Sequence, residues 1–514
     1  MSLLNVVNVS HSFGGRIILK NASFRLLKGE HVGIVGANGE GKSTFINIIL
    51  GNELPSEGKI EWAKRVKVGY LDQFSKLTKG KTIRDVLKEA YDDMYKLEEE
   101  IYQNYELLEG ADDKRMHEIL DDIGEMQTIL EESGFYTIDV EIEKISSGLG
   151  LNAIGLDKDV SELSGGERAK VLLTKLLLQK PSILILDEPT NYLDENHINW
   201  LRNYLNNLEN AFILVSHDIA FLNSVINVVY HIENGELTRY SGNYDDYLKA
   251  YEMKKRQADS AYEAQQRKIK EMEDFIARNK ARVATRGMAN SRQKQLDKME
   301  RIEKGRVQIK PTFKFNEGRP SGKILFDAKN IVIGYDFPLT RPFSVDVSKG
   351  ERVVIRGING IGKSTLIKTL TGLIKPISGE VFISPTITLG YFEQEVPGNR
   401  NTPRDEIWDS FPTLSQGEVH GALANCGLTS EHIDSQMITL SGGEAAKVRL
   451  CKLTIGEYNC LVLDEPTNHL DVLAKESLKE AILSYKGTVI LVCHEKEFYE
   501  SLATKIISLE DYAL

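Results

Sequence analysis

The stretch GANGEGKST at residues 36–44 decides the fold, because it returns 321 residues later as GINGIGKST at 357–365. The pattern GxxxxGK[ST] needs glycines so that consecutive backbone N–H groups can turn inward around a phosphate chain. The N-terminus of the following helix adds a favourable field. Gly36, Asn38, Gly39, Gly41, Lys42, Ser43 and Thr44 make the first loop, and Gly357, Asn359, Gly360, Gly362, Lys363, Ser364 and Thr365 the second. Lys42 and Lys363 stand where phosphate charge is neutralised, and Ser43 and Ser364 each offer a hydroxyl to Mg²⁺. The ligand expected is ATP. A single match of this kind arises by chance; two copies in register with further shared motifs do not.

Outward from the loops, LDEPTNYLD at 186–194 recurs as LDEPTNHLD at 463–471. Each copy closes an apolar run, SILILDE at 182–188 or CLVLDE at 460–465, that reads as a buried parallel strand ending in two acids. Ligands of open α/β sheets sit at that edge. Asp187 and Asp464 are placed to hold Mg²⁺ through water, and Glu188 and Glu465 to polarise an attacking water as general bases. LSGGE at 163–167 and 440–444 sets Ser164, Gly165 and Gly166, then Ser441, Gly442 and Gly443, ahead of helices, which is a second anion-binding geometry. His217 and His494 each follow a β-rich run, FILVSH or VILVCH, 29 residues beyond the glutamate of their own half. The fold class expected is α/β, with two tandem P-loop nucleotide-binding domains at 1–245 and 321–514 joined by a helical-hairpin linker at 246–320.

The offsets between copies locate what differs. Lys42 to Lys363 spans 321 residues but Ser164 to Ser441 only 277, so the first half carries 44 extra residues between Gln73 and Ser164. Residues 81–140 have apolar positions at helical spacing and hold 6 Lys+Arg against 18 Asp+Glu, which predicts an acidic helical arm suited to a basic partner. Residues 251–310 hold 17 Lys+Arg against 9 Asp+Glu, the reverse of a chain whose net charge is −11. Tyr262, Ile269, Met272 and Ile276 make one helical stripe and Leu296, Met299 and Ile302 another, which predicts two antiparallel helices breaking at Gly287. Its tip, 278–292, carries Arg278, Lys280, Arg282, Arg286 and Arg292 and no acid, so these five are the candidate RNA contacts.

Composition removes other classes. The four cysteines, Cys426, Cys451, Cys460 and Cys493, lack paired metal or redox spacings and read as small buried residues of a reducing compartment. The N-terminus lacks a charged segment followed by a long apolar core, and no run of about 18 apolar residues occurs anywhere, so a cytoplasmic location is expected. The chain runs 20 residues past His494, so no nucleic-acid-binding C-terminal tail is expected.

The LSGGE motif has no work to do inside its own phosphate loop, and it resembles the signature of the ATP-binding-cassette superfamily. That resemblance implies two sites shared between the halves, one from Lys42 and Ser441, the other from Lys363 and Ser164. It implies further that Gln73 and Gln394 sense Mg²⁺ and water and that His217 and His494 contact the γ-phosphate. Phe13 and Tyr335 stand where an aromatic ring stacks on adenine. Tandem cassettes, a basic helical pair, DEPTNHLD, SHDIAFLN at 216–223, SGNYDDY at 241–247 and NSRQKQLDKME at 290–300 together resemble the ABC-F family of ribosome-associated ATPases. The resemblance implies a monomer whose domains pair with each other, binding in the ribosomal tRNA exit site with the linker tip towards peptidyl-tRNA, ribosomal RNA and the peptidyl-transferase centre. Ribosome protection against antibiotics is the alternative within the family, and the ATPase subunit of a membrane transporter the alternative outside it. Two positions depart from symmetry: Tyr192 stands where the second half has His469, and Cys493–His494–Glu495 replaces Ser216–His217–Asp218, so unequal sites are expected.

Overall fold

The computed structural model describes residues 2–13, 16–71, 79–108, 112–279, 286–299, 301, 310–335, 337–393, 398–468 and 470–514. The two halves repeat one architecture. In the first, a six-stranded sheet runs in the order Val68–Tyr70, Ile183–Asp187, Ala211–Val215, His31–Val35, Val228–Glu233, Glu236–Ser241. All neighbours are parallel except the last pair, a hairpin. The second half repeats the first five strands as Leu389–Phe392, Cys460–Asp464, Thr488–Val492, Arg352–Arg356 and Lys505–Ser508, all parallel. Each half adds a three-stranded antiparallel sheet, centred on Ser2–Phe13 or on Ile324–Val332.

The apolar runs were legible as buried strands, and the period of two explains how they serve two cores at once. Leu184, Leu186, Phe212 and Leu214 face one core, shared with the helical region. Ile183, Ile185, Ala211 and Ile213 face the other, shared with the helix Lys42–Leu50 and the antiparallel sheet. The second half alternates likewise, with Leu461 and Leu463 on one side and Cys460 and Val462 on the other. All four cysteines are free and buried. On the antiparallel-sheet side of the first half, Phe45 packs edge-on against Phe24 at 5.3 Å, and Phe24 meets Tyr230 at 4.4 Å.

Most of the described residues of 81–140 are helical, from Ile83 to Leu107 and from Asp113 onward apart from the turn at Ser133–Gly134. The helices Asp92–Leu107 and Asp113–Glu132 carry most of the acidity, and they are anchored by Ile101, Ile119, Ile123 and Leu130, which join the first half's core. The linker opens with one helix, Tyr244–Asn279, which at 1.5 Å per residue is about 54 Å long. Its root is an aromatic cluster: Tyr247 lies 5.1 Å from Tyr240, Tyr251 lies 4.9 Å from His231, and Tyr251 Oη donates to Glu233 Oε1 at 2.8 Å. Ile269 and Ile276 bury against Leu296 of the returning helix Arg286–Asp297, and Met272 and Met299 pack on the same cluster.

Gly287 corrects the sequence reading, because it is the second residue of that helix rather than the break before it. A glycine in a helix costs only about 1 kcal/mol, which packing of the two helices offsets. Phe45→Ala removes a fully buried ring and is expected to destabilise the first half by about 3–5 kcal/mol. Chemical denaturation should show that half's transition moving to lower denaturant while the second half's stays in place.

Candidate active sites

Each phosphate loop ends in a glycine whose φ lies in the left-handed region, 97° at Gly41 and 105° at Gly362. These glycines cap the helices Lys42–Leu50 and Lys363–Leu370 without any side-chain hydrogen bond, so the first-turn N–H groups stay directed at a ligand. Lys42 Nζ donates to the carbonyls of Gly36 at 2.8 Å and Ala37 at 3.0 Å. Lys363 Nζ donates to the carbonyls of Gly357 at 2.9 Å and Ile358 at 3.2 Å and to Asn359 Oδ1 at 3.1 Å. Burial lowers both lysines below the usual value, with Glu188 and Glu465 respectively opposing the shift most strongly.

The paired acids stand at the sheet edge beside these loops. Ser43 Oγ donates to Asp187 Oδ2 at 3.3 Å, and Ser364 Oγ to Asp464 Oδ2 at 2.9 Å. Asp464 Oδ1 is buried without a hydrogen-bond partner. A hydroxyl beside a carboxylate with an unsatisfied oxygen fits a hard, oxygen-seeking divalent cation such as Mg²⁺. Burial raises Asp187 and pushes Asp464 up to about 6, against the hydroxyl bond from Ser364.

Glu188 and Glu465 both have left-handed backbone, φ 49° and 50°, a conformation that costs of order 1–3 kcal/mol in a non-glycine residue. The neighbouring strand holds them there, since Glu188 N donates to Val215 O at 2.9 Å and Glu465 N to Val492 O at 3.0 Å. The two sites then differ. His217 Nε2 lies 3.6 Å from Glu188 Oε1, and burial together with Asp187 pushes Glu188 up to about 8. His494 Nε2 lies 3.1 Å from Glu465 Oε1, and Asn468 Nδ2 donates to Glu465 Oε2 at 2.8 Å. Burial alone would raise Glu465, but His494, Lys363 and Asn468 outweigh it and hold the carboxyl below the ordinary glutamate value.

The halves meet across these edges. An open cleft of about 860 Å³ has Lys42, Ser43, Asp187, Glu188 and His217 of the first half on one wall and Ser441, Gly442 and Gly443 of the second on the other. Asn359 Nδ2, in the second phosphate loop, donates to Tyr192 O of the first half at 3.0 Å. Ser164 and Ser441 each cap a helix with a capping box, closed by Glu167 and Glu444. Gly165 and its counterpart Gly442 are both exposed, whereas Gly166 is half-buried and its counterpart Gly443 buried.

Gln73, Gln394, Lys280, Arg282 and His469 lie outside the described residues, as do the side chains of Phe13 and Arg286. Tyr335 is 60% exposed, leaving ring surface free for stacking. Arg278 is exposed at the end of the long helix, while Arg292 places its guanidinium 3.8 Å over the Phe275 ring and so ties the hairpin together. Sequence reasoning missed Asp194 and Asp471, which cap the helices Glu195–Asn206 and Val472–Ser484. Asp471 is ion-paired to Lys447 at 3.1 Å, and Asp194 and Asp471 lie close enough to act on Lys363 and Lys42 of the opposite halves. The repeated LDEPTN-LD contained both aspartates and Asn468, and its symmetry was the available signal.

Fold and sites define a tandem ATP-binding-cassette ATPase, a chain that binds and hydrolyses ATP. A family model described as ABC transporter matches residues 19–191 and 340–468, and a second model with the same description matches 230–315. An uncharacterized ABC transporter ATP-binding protein, YfmM of Bacillus subtilis, is 56% identical over 100% of this chain and 99% of its own. ABC transporter F family member 5 of Arabidopsis thaliana is 35% identical over 99% of this chain and 75% of its own. The chain belongs to the ABC-F family. Among solved structures, the archaeal ribosome recycling factor aABCE1, in complex with the ribosomal stalk protein aP1, has the same tandem fold. Its TM-score is 0.60 at 20% identity, over 98% of this chain and 87% of that one. No helix among the described residues is long and apolar enough to cross a membrane.

The two cap glycines differ in the room around them. A Cβ on Gly41 would meet Ile18 Cγ2 at 2.5 Å, whereas on Gly362 its nearest neighbour is Leu339 Cδ1 at 3.2 Å. Gly41→Ala is therefore expected to weaken ATP binding at its own site by roughly tenfold or more, and Gly362→Ala by less. Titration with a fluorescent ATP analogue reads both.

Proposed function

We propose that the chain is an ATP-operated clamp that works on the ribosome, bound in the tRNA exit site with its hairpin directed at peptidyl-tRNA and the peptidyl-transferase centre. The observation that carries this reading is the hairpin. Residues 251–310 hold 17 Lys+Arg against 9 Asp+Glu in a chain of net charge −11. The helix Tyr244–Asn279, about 54 Å long, is itself balanced at 8 against 8, and the excess lies in residues 280–310, with 10 against 3. A long helix followed by a cationic segment suits ribosomal RNA, whose helices are recognised by shape and phosphate. Arg278, Lys280, Arg282 and Arg286 are the RNA contacts in this reading, and Arg292 supports them from the Phe275 ring. The acidic arm suits a basic ribosomal protein. The tandem fold is compatible with such work, since an archaeal ribosome recycling factor has it.

In this reading the domains are those expected from sequence: cassettes at 1–245 and 321–514 and a linker at 246–320. Mg²⁺, when bound, neutralises charge on the β- and γ-phosphate oxygens. Ser43 with Asp187 and Ser364 with Asp464 would hold it, with Gln73 and Gln394 as the further ligands expected from sequence. Glu188 and Glu465 polarise the attacking water, and His217 and His494 face the γ-phosphate. Ser164 and Ser441 close each site from the opposite half, so ATP joins the halves and hydrolysis parts them. Closure moves the hairpin, which is how ATP acts on the tRNA.

The double variant Glu188→Gln, Glu465→Gln should bind ATP without hydrolysing it, sediment with ribosomes and arrest protein synthesis in a cell-free system. Sedimentation with membranes after ribosome removal would instead favour a transporter subunit. Changing Arg278, Lys280, Arg282 and Arg286 to Gln should weaken ribosome binding and flatten its salt dependence, by up to about 0.7–0.9 log units per lost phosphate contact. Growth of a deletion strain on lincosamides, pleuromutilins and oxazolidinones separates translation support from antibiotic protection.

A further inference from the structure

One lysine joins the two switch-histidine loops. Lys475 lies on the second half's helix Val472–Ser484, one turn beyond its cap Asp471. Its Nζ donates to Glu495 Oε1 at 2.8 Å, within its own half, and to His217 O at 3.3 Å, in the other. The side chain is only 13% exposed, so both bonds are made at a largely covered interface. Glu495 directly follows His494, whose Nε2 contacts Glu465. His217 in turn holds Glu188 through its backbone N, which donates to Oε2 at 3.2 Å, while its ring Nε2 stands 3.6 Å from Oε1. The chain of contacts therefore runs from one glutamate to the other through a single amine.

Among the described residues the first half has no copy of this device. Asp194 and His217 align with Asp471 and His494 at an offset of 277, which places Ile198 opposite Lys475. Ile198 packs partly buried against the first half's core and has no amine to offer to the carbonyl of His494. The interface is symmetric in its acids and histidines but one-sided in this bridge. An interfacial cavity of about 480 Å³ has Glu188, His217, Lys475, His494 and Glu495 on its wall, so nothing bulky separates the groups.

We infer that Lys475 is a positioning residue acting in trans, which fixes the His217 loop and thereby the carboxylate of Glu188, so that hydrolysis at the first site depends on the second half being docked. The inference rests on Glu188 acting as general base. An ammonium at 3.3 Å restrains the His217 carbonyl, and the same residue donates its backbone N–H to Glu188 Oε2 and brings its ring beside Oε1. Small displacements of such a group are enough to lower a rate by one to two orders of magnitude. The second site lacks the reciprocal bridge, and Asn468, from its own half, holds Glu465 there.

The test uses full-length protein with one site silenced at a time. In a Glu465→Gln background only the first site turns over, and Lys475→Met should lower kcat for ATP on the order of tenfold or more while KM changes less than about twofold. In a Glu188→Gln background the same substitution should change kcat by less than about threefold, and Lys475→Arg should restore most of the loss in the first background. Equal losses in both backgrounds, or a rise in KM with kcat intact, would overturn the inference. Unchanged thermal unfolding separates positioning from misfolding. If Glu188→Gln, Glu465→Gln still hydrolysed ATP at the parental rate, the general-base reading would fall instead, so the two failures are distinguishable.

Discussion

Two adjacent carboxylates at the end of a buried strand lose hydration worth several kcal/mol each, and each half of this protein places such a pair beside its phosphate loop. Asp187 with Glu188 and Asp464 with Glu465 are surrounded by groups that make the burial tolerable, among them a buried lysine, a serine hydroxyl and a histidine. Burial lowers the lysines and raises most of the acids, and the opposite charges placed beside them oppose those shifts. The parallel sheet exists to deliver these groups to one edge. Alternation along its strands fills a core on each face, which leaves the strand ends as the place for polar chemistry.

The same constraint accounts for the pairing of halves. A phosphate loop offers its donors from one side only. Ser441 caps the helix Gly442–Ile455, and with Gly442 and Gly443 it walls the cleft beside Lys42 of the opposite half. Asn359 and Lys475 cross the interface to backbone carbonyls of the first half, Tyr192 and His217. Both contacts depend on docking and not on either half alone. The halves thus share chemistry but not geometry: the second glutamate is held by its own histidine and Asn468, the first at longer range with help from across the interface.

What could be read from sequence was what the chain says twice. The phosphate loops, the acidic strand ends, the signature helices and the switch histidines recur at fixed offsets, and each recurrence tests the other. The acidic arm and basic hairpin were legible because charge and helical period changed sharply there. Contacts made once were not legible. Lys475 has no repeat partner, since the matching position is Ile198, and a lysine on a helix carries no local mark of the carbonyl it will meet. Arg292 looked like its basic neighbours until the fold placed Phe275 beneath it. Gly287 suggested a break because local propensity was all that could be weighed, whereas packing of the two linker helices decided the matter.

The cleft beside Lys42 takes its walls from both halves, and in the function proposed each ATP site is shared in this way. Single-turnover hydrolysis of Ser441→Arg, with one glutamate silenced at a time, decides whether it is. With Glu465→Gln, where Glu188 does the work, Ser441→Arg should abolish hydrolysis; with Glu188→Gln it should leave hydrolysis at Glu465 nearly intact. The opposite pattern, loss at the glutamate of its own half and survival at the other, would contradict a shared site.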